Sequence, residues 1–302
     1  MMQKYILISK SLCFGYFILP LRQIYTLIDM KISDNLRRKG SVLLLLFASF
    51  IAVGAQEPFE IDGSMGRIRG TITLPPTHKD GKCNFVILMH GFNANQDYPL
   101  LRTIGDSLLR HGIGIVRFDF NAHGKSDGKF CQMTIGNETD DAHRVYSYIR
   151  SLPYVRHISL AGHSQGGVVA GLLAAKLGKK AIKSVLLLAP AAVIKDDILR
   201  GNIFGTRFNS YNLPNEIIIN DTLHLGKPYL SEVQQMPIYH DTFRYRGRVC
   251  IIHGMGDYIV PYTYGEYYHD GLRHSELHLL PHANHSFEGH EAEVARIVIR
   301  FF

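Results

Sequence analysis

The stretch Ser159–Gly171, SLAGHSQGGVVAG, decides the fold because it joins a strand pattern to a helix pattern through one serine. Ser164 stands between Gly162 and Gly166, with the apolar run ISLA before the glycines and VVAGLLAAKL after them. A turn this tight brings backbone too close for side chains two positions away, so glycine is required there. The serine then projects above a sheet at the N-terminus of a helix, where negative charge is favoured. An ordinary glycine-rich turn is the alternative, and the strand-to-helix context disfavours it.

A serine hydroxyl is a weak nucleophile unless a base and an orienting acid accompany it. In a strand-turn-helix architecture of this kind, the acid and then the histidine should each follow a later strand. Asp257 comes four residues after the apolar run VCIIH, and His285 and His282 both follow LHLLP. Spacing from the strand end favours His285, with His282 as the alternative. For the acid, Asp270 on a helical pattern is a weaker candidate, and the structural alternative for Asp257 is a cap or turn aspartate.

Two backbone amides are expected to bind the oxyanion of a tetrahedral intermediate. One belongs to Gln165, the residue after the serine. The other belongs to Phe92, in the HGF turn that follows the apolar run NFVILM. The side chains of His90 and His163, which neighbour these positions, are interpreted as structural rather than catalytic.

Short apolar runs alternate with helical patterns along the chain. Strands are predicted over 67–75, 84–91, 112–120, 157–164, 183–190, 248–254 and 275–281, and helices over 98–112, 137–152, 168–178, 264–272 and 291–302. Nearly continuous apolar strands separated by helices predict an α/β fold with a mostly parallel sheet covered on both faces. Residues 191–243 interrupt the alternation with turn signals and are interpreted as an insertion over the carboxyl edge of the sheet.

The chain has 302 residues, of which 46% are hydrophobic, so one large core is expected. Residues 1–56 hold seven Lys or Arg and two Asp, a surplus of five within the total net charge of +7, which leaves +2 for the remainder. This near-neutral remainder gives no reason to propose a nucleic-acid partner. The sequence leaves monomer and homodimer open.

Residues 1–55 are predicted to be a leader. NLRRKG is a basic segment, SVLLLLFASFIAVG is apolar but short for a membrane span, and small residues precede Gln56. Met30 is the expected true start. Export to the periplasm or the exterior would leave 56–302 as the mature domain, without a membrane span. An N-terminal membrane anchor is the alternative.

Cysteine and histidine do not form a catalytic metal pattern. The spacing of Cys83, Cys131 and Cys250 matches no metal site, and Cys250 lies in an apolar strand pattern that predicts burial. Whether Cys83 and Cys131 pair is left open. No His-x-x-x-His pair with a glutamate lies on a helical pattern, so no metal and no cofactor are expected.

Six motifs of the chain, taken together, resemble those of the bacterial cinnamoyl/feruloyl esterases of the α/β-hydrolase superfamily. They are HGF, FDFNAHGKSDGKF, GHSQGGVVA, LLLAPAA, HGMGD and ANHSF. The resemblance extends from about residue 60 to 300, and it is the combination of motifs that is narrow, since each alone occurs in many hydrolases. It implies the α/β-hydrolase fold with a small lid at 191–243. It also implies a triad and an oxyanion hole formed by Ser164, Asp257, His285, Phe92 and Gln165.

The resemblance further implies that a lid aspartate and tyrosine hold the phenolic hydroxyl of the substrate. The matching positions are Asp197 and Tyr229, with Asp196 as the alternative to Asp197. Phe204 falls near the position of a glutamine in some relatives, and Ala122 stands where glycine is common. The structural alternative for Asp197 and Tyr229 is a solvated surface of the lid.

The expected activity is hydrolysis of hydroxycinnamate esters, such as feruloyl groups on plant cell-wall polysaccharide, through an acyl-enzyme intermediate. The main alternative is a carboxylesterase or lipase acting on short acyl esters or monoacylglycerols. A peptidase is less favoured, and a dehalogenase would need aspartate at position 164. A secreted ligand-binding protein with a relict site is the hypothesis from outside the enzymes.

Overall fold

The computed structural model describes residues 56–77 and 81–302, so the predicted leader lies outside the described residues. The main sheet has eight strands in the order β1-β2-β4-β3-β5-β6-β11-β12. Their bounds are β1 Gln56–Asp62, β2 Arg67–Thr73, β3 Cys83–Met89, β4 Gly114–Phe118, β5 Val155–His163, β6 Ile182–Leu188, β11 Arg248–Gly254 and β12 Ser275–Leu280. The first two strands form an antiparallel hairpin, β2 pairs antiparallel with β4, and all other pairs are parallel.

Helices cover both faces of this sheet. The larger helices are α1 Pro99–Arg110, α2 Ile135–Ser151, α3 Gln165–Leu177, α7 Thr263–Gly271 and α8 Glu291–Phe301. Helix α1 begins at a proline, whose missing N–H costs nothing there, and α2 begins after Thr134, whose hydroxyl accepts the Asn137 N–H at 3.1 Å. The central strands are therefore shielded on both sides, which explains their nearly continuous apolar runs.

Successive residues of β3 point into two separate cores. Val86 and Leu88 pack with α1 and α8, whereas Phe85, Ile87 and Met89 pack with α2 and α3. Because side chains alternate along a strand, one short apolar run supplies both cores. The predicted α/β-hydrolase architecture is thereby confirmed, with a mostly parallel sheet between two helical layers.

The chain between β6 and β11 forms an insertion with more regular structure than its turn signals indicated. It contains α4 Val193–Leu199, a hairpin of β7 Asn202–Ile203 and β8 Thr206–Arg207, a hairpin of β9 Glu216–Ile219 and β10 Leu223–Gly226, α5 Lys227–Gln235 and α6 Ile238–Thr242. The strands are two to four residues long, which is too short for a periodicity to be read from sequence.

Cys83, Cys131 and Cys250 are free thiols, and Cys250 is buried as its apolar context predicted. Within the part of the chain that the structure describes, no helix combines the length and the apolar character needed to cross a bilayer.

Candidate active site

Strand β5 continues into helix α3 through Ser164 with almost no connecting loop. Its φ of 57° and ψ of −122° are unusual for a residue with a side chain. A Cβ on Gly162 would overlap the Gly166 carbonyl, and a Cβ on Gly166 would overlap the His90 carbonyl. The prediction that close backbone approach requires both glycines is therefore confirmed.

Backbone hydrogen bonds hold this strained turn at the end of the sheet. The Ser164 N–H donates to the Leu188 carbonyl at 2.9 Å, and the Ser164 carbonyl accepts from Gly167 N at 2.9 Å and Ala191 N at 3.1 Å. Strain of this kind persists only where surrounding structure enforces it. The neighbouring strand and the start of the insertion supply that enforcement.

Asp257 and His285 form a direct pair. The Asp257 Oδ2 lies 2.7 Å from His285 Nδ1 and 3.3 Å from His253 Nε2, and Oδ1 accepts the amides of Ile259 at 2.9 Å and Val260 at 2.8 Å. Burial alone would raise the pKa of the Asp257 carboxyl. The hydrogen bonds from His253 and His285 oppose burial and bring that pKa below its ordinary value. The carboxylate is therefore ionised and can hold a proton on Nδ1 of His285, leaving Nε2 free to act as a base.

The structure separates His285 from the alternatives. His282 lies in the exposed turn after β12, at a φ of 62°, and Asp270 lies on α7. Asp257 is the carboxylate that contacts His285. Spacing from the strand ends therefore selected the two residues that meet.

His163 ties the serine turn to the loop that carries His285. Its Nε2 donates to the His285 carbonyl at 2.8 Å, and the two rings lie 4.8 Å apart. Burial, followed by the nearby His285, lowers the pKa of His163 to about 3, so the ring is neutral. In the described residues, no hydrogen bond joins the Ser164 hydroxyl to His285 itself. Such bonds are often long in unliganded enzymes and shorten when substrate binds.

The amides of Phe92 and Gln165 belong to residues that line the same cavity as Ser164. Gln165 is the first residue of α3, so its N–H has no partner within the helix. Gly91 has no space for a Cβ, which would lie 2.9 Å from Ser164 Cβ. His90 Nδ1 donates to the Gly91 carbonyl at 2.9 Å and thereby fixes the peptide unit that carries the Phe92 N–H.

The cavity at Ser164 has a volume of about 730 Å³. The insertion contributes Asp197, Arg200 and Phe204 to its wall, the loop after β11 contributes Tyr258, and the start of α7 contributes Tyr264. The rings of Phe92 and Phe204 lie 5.1 Å apart at one side. The cavity therefore combines an aromatic wall with a few polar groups, as small-molecule sites do.

Of the two predicted phenol contacts, only Asp197 lines the cavity. Burial raises the pKa of its carboxyl, although Arg200 at 3.9 Å acts in the opposite direction. Its neighbour Asp196 instead accepts the Tyr264 hydroxyl at 2.6 Å.

Tyr229 is not brought to the cavity, contrary to the expectation from the resemblance. Its side chain is fully buried, and its hydroxyl donates to Gln165 Oε1 at 2.6 Å. The reason is that Tyr229 belongs to α5, where it faces the core.

Sequence reasoning missed Glu138 and His253. Glu138 contacts the Gln165 side chain. It belongs to the acidic stretch NETDD of α2, in which the sequence does not distinguish buried from exposed carboxyl groups. His253 ends an apolar run that gives no sign of its contact with Asp257.

Among the described residues, one group of side chains has donor atoms suited to a metal ion. Cys250, Glu276 and His278 bring a thiol, a carboxylate and an imidazole within 4.8 Å of one another. This donor set would suit Zn²⁺. The group lies on β11 and the edge strand β12, and none of its members lines the cavity at Ser164.

Comparisons with known proteins agree with this architecture. A family model described as serine aminopeptidase, S33, matches residues 81–224. No curated protein matches the chain. Est1E from Butyrivibrio proteoclasticus, in a structure with ferulic acid bound, is 29% identical with a TM-score of 0.75, covering 78% of this chain and 94% of that one. A second Est1E structure is 26% identical with a TM-score of 0.74, covering 81% and 96%.

A more distant structure shows only the shared fold. XC6422 from Xanthomonas campestris, an α/β serine hydrolase without a lid, is 18% identical with a TM-score of 0.57, covering 83% of this chain and 94% of that one. The sheet order, the strained serine turn and these similarities together identify the chain as a serine hydrolase of the α/β-hydrolase superfamily.

Proposed function

We propose that the protein hydrolyses esters of hydroxycinnamic acids through an acyl-enzyme intermediate on Ser164. The observation that carries the proposal is the cavity, which is lined by Ser164, by the packed rings of Phe92 and Phe204, and by the half-buried Asp197. The similarity to Est1E, solved with ferulic acid bound, supports this choice of acyl group.

The proposed mechanism begins when His285 Nε2 takes the proton of Ser164 as its oxygen attacks the ester carbonyl. Asp257 holds the imidazole tautomer and stabilises the imidazolium that forms. The amides of Phe92 and Gln165 bind the oxyanion, each contributing about 3 kcal/mol. His285 then gives the proton to the leaving alcohol. In the second half of the reaction, His285 takes a proton from a water molecule that attacks the acyl group, and it returns this proton to Ser164 as the acid is released.

In this proposal, the flat hydroxycinnamoyl ring packs on Phe92 and Phe204. Contacts between aromatic rings contribute about 0.5–1.5 kcal/mol beyond the area that they bury. Asp197 accepts the phenolic hydroxyl of the acyl group. The polysaccharide or simple alcohol then extends toward solvent.

The second candidate is hydrolysis of short acyl esters or monoacylglycerols. The observation that favours it is the position of Tyr229, which leaves Asp197 alone of the two polar contacts implied for a phenolic ring. A cavity with one such contact has less to distinguish a ferulate from an aliphatic acyl group.

The test compares kcat/KM for methyl ferulate, p-nitrophenyl butyrate and an aminoacyl anilide. We expect methyl ferulate to be preferred and Ser164→Ala to lower its turnover by at least about 10⁴-fold. A preference for the butyrate would support the second candidate, and a preference for the anilide would indicate a peptidase. Failure of a fluorophosphonate to label Ser164 in the folded protein would contradict catalysis altogether.

Export is part of the same proposal, with a mature chain that begins near Gln56. Cell fractionation followed by N-terminal sequencing tests it directly. Recovery of the full leader on the protein in the cytosolic fraction would contradict it.

A further inference from the structure

The side chain of Gln165, the residue after Ser164, is held between two buried partners. Its Nε2 donates to Glu138 Oε2 at 2.8 Å, and its Oε1 accepts the Tyr229 hydroxyl at 2.6 Å. All three side chains are inaccessible or nearly so, with residue exposures of 1% or less. We call Glu138, Gln165 and Tyr229 the Gln165 clamp.

The clamp joins three separate elements. Glu138 comes from α2, Gln165 opens α3, and Tyr229 comes from α5 in the insertion. Because both ends of the Gln165 amide are bound, the side chain has one permitted orientation. The conformation of Gln165, and with it the direction of its backbone N–H, is therefore restrained.

We propose that Glu138 and Tyr229 are positioning residues, which hold Gln165 so that its backbone N–H points at the oxyanion. Neither touches the substrate. The inference rests on the proposed use of Ser164 in ester hydrolysis, and it holds for any acyl group. It gives Tyr229 a supporting role for the oxyanion hole in place of the substrate contact that the resemblance implied.

Burial favours the neutral form of the Glu138 carboxyl. Burial is the largest cause that raises its pKa well above the ordinary value, and Asp141 and Glu232 add to it, whereas the Gln165 hydrogen bond opposes it. His123 Nδ1 lies 3.9 Å from Glu138 Oε1, but burial lowers the pKa of His123, so it supplies no balancing charge. An uncharged amide should therefore be able to replace the Glu138 carboxyl.

The experiment measures kcat and KM for p-nitrophenyl butyrate and the affinity for an alkyl boronic acid, whose serine adduct mimics the oxyanion. We expect Tyr229→Phe and Glu138→Leu to lower kcat about 5- to 50-fold, to weaken the boronic acid by a similar factor and to leave KM within about twofold. Glu138→Gln keeps an acceptor for Gln165 and should retain most of kcat.

Tyr245→Phe is the matched control. Tyr245 is also buried, and its hydroxyl donates at 2.9 Å to the Ile182 carbonyl, which does not line the cavity. It should lose thermal stability as Tyr229→Phe does, while kcat and boronic acid affinity stay unchanged. Ser164→Ala is measured alongside to separate the two proposals. Activity retained by that variant would refute the proposed use of Ser164, on which the clamp rests. Activity lost in Ser164→Ala but kept in Tyr229→Phe would refute the clamp alone.

Two results would overturn the inference. One is a Tyr229→Phe protein that loses stability but keeps kcat and boronic acid affinity, as a purely structural tyrosine would. The other is a Glu138→Gln protein as impaired as Glu138→Leu, since the clamp needs only an acceptor at this position.

Discussion

At the scale of single residues, His163 and His90 fix backbone atoms instead of reacting. His163 donates to the carbonyl of His285, and His90 donates to the carbonyl of Gly91. Burial is the main cause that lowers the pKa of each to about 3, so both are neutral donors near pH 7. These two histidines thus hold the backbone beside His285 and Phe92, which we propose to act as the catalytic base and as an oxyanion donor.

We predict that Asp257→Asn will lower kcat by about 10⁴-fold. The amide has nearly the carboxylate's shape, but its NH₂ group would face His285 Nδ1 and favour the wrong imidazole tautomer. Steady-state kinetics on methyl ferulate or p-nitrophenyl butyrate would measure the loss, and a melting curve would show that the variant is folded. A kcat within tenfold of the unmodified protein would contradict the assigned acid.

Gly162→Ala is expected to destabilise the protein by about 3 kcal/mol or more, because its methyl group would meet the Gly166 carbonyl across the turn. Urea unfolding monitored by circular dichroism would measure it. Gly178→Ala offers a comparison, since no atom lies within 4 Å of that Cβ position, although its φ of 79° adds strain of its own. Equal losses at the two positions would mean that crowding is not the cause at Gly162.

At the scale of elements, the apolar runs predicted strands to within a few residues. The run at 183–190 became β6, Ile182–Leu188, because its neighbours on both sides bury it. Strand β1 was not predicted, since QEPFEID buries only Phe59 and pairs along one edge with β2. An edge strand that buries one side chain has no clear hydrophobic pattern by which it could be predicted from sequence.

The pairing of Asp257 with His285 was predictable because both follow strands that end at the same edge of the sheet. The position of Tyr229 was not. Whether a residue on α5 faces the cavity or the core depends on how the insertion packs against α2 and α3, and such tertiary contacts have no local signature in KPYLSEVQQ. The burial of Glu138 is unpredictable for the same reason.

The hairpin of β7 and β8 supports the aromatic wall of the cavity, so its effect should depend on the substrate. We predict that Phe204→Ala will raise KM for methyl ferulate about three- to tenfold and change KM for p-nitrophenyl butyrate by less than about twofold. Leu199→Ala is a control, because Leu199 is also exposed on the insertion but does not line the cavity. Equal effects on both substrates would argue against ring packing at Phe204.

At the scale of the whole molecule, the buried carboxyl groups of Asp257 and Glu138 should make the free energy of unfolding change with pH in opposite directions. The lowered pKa of Asp257 stabilises the folded state above the ordinary carboxyl value of 3.8, and that contribution is lost as pH falls. The raised pKa of Glu138 acts oppositely, because the unfolded chain releases this proton above about 4.5 whereas the folded chain retains it. The contribution of Glu138 to the free energy of unfolding therefore declines as pH rises past 4.5.

We predict that Glu138→Gln will become progressively more stable than the unmodified protein between pH 4 and pH 7, since it removes this proton-linked loss. Melting temperatures measured across that range would show a widening difference. Glu57→Gln, at an exposed position of β1, is the control and should show no such trend. A constant difference for Glu138→Gln would mean that the buried carboxyl ionises normally.

The insertion carries both Phe204, which lines the cavity, and Tyr229, whose hydroxyl donates to the side chain of Gln165. Recombination that exchanged residues 191–243 for the equivalent segment of another hydrolase would therefore transfer two traits together. Under the roles proposed above for Phe204 and Tyr229, a donor segment without a hydroxyl at the position of Tyr229 would bring a new substrate preference together with a lower kcat. Engineering of acyl specificity in this scaffold should consequently graft the cavity wall alone and keep α5 native.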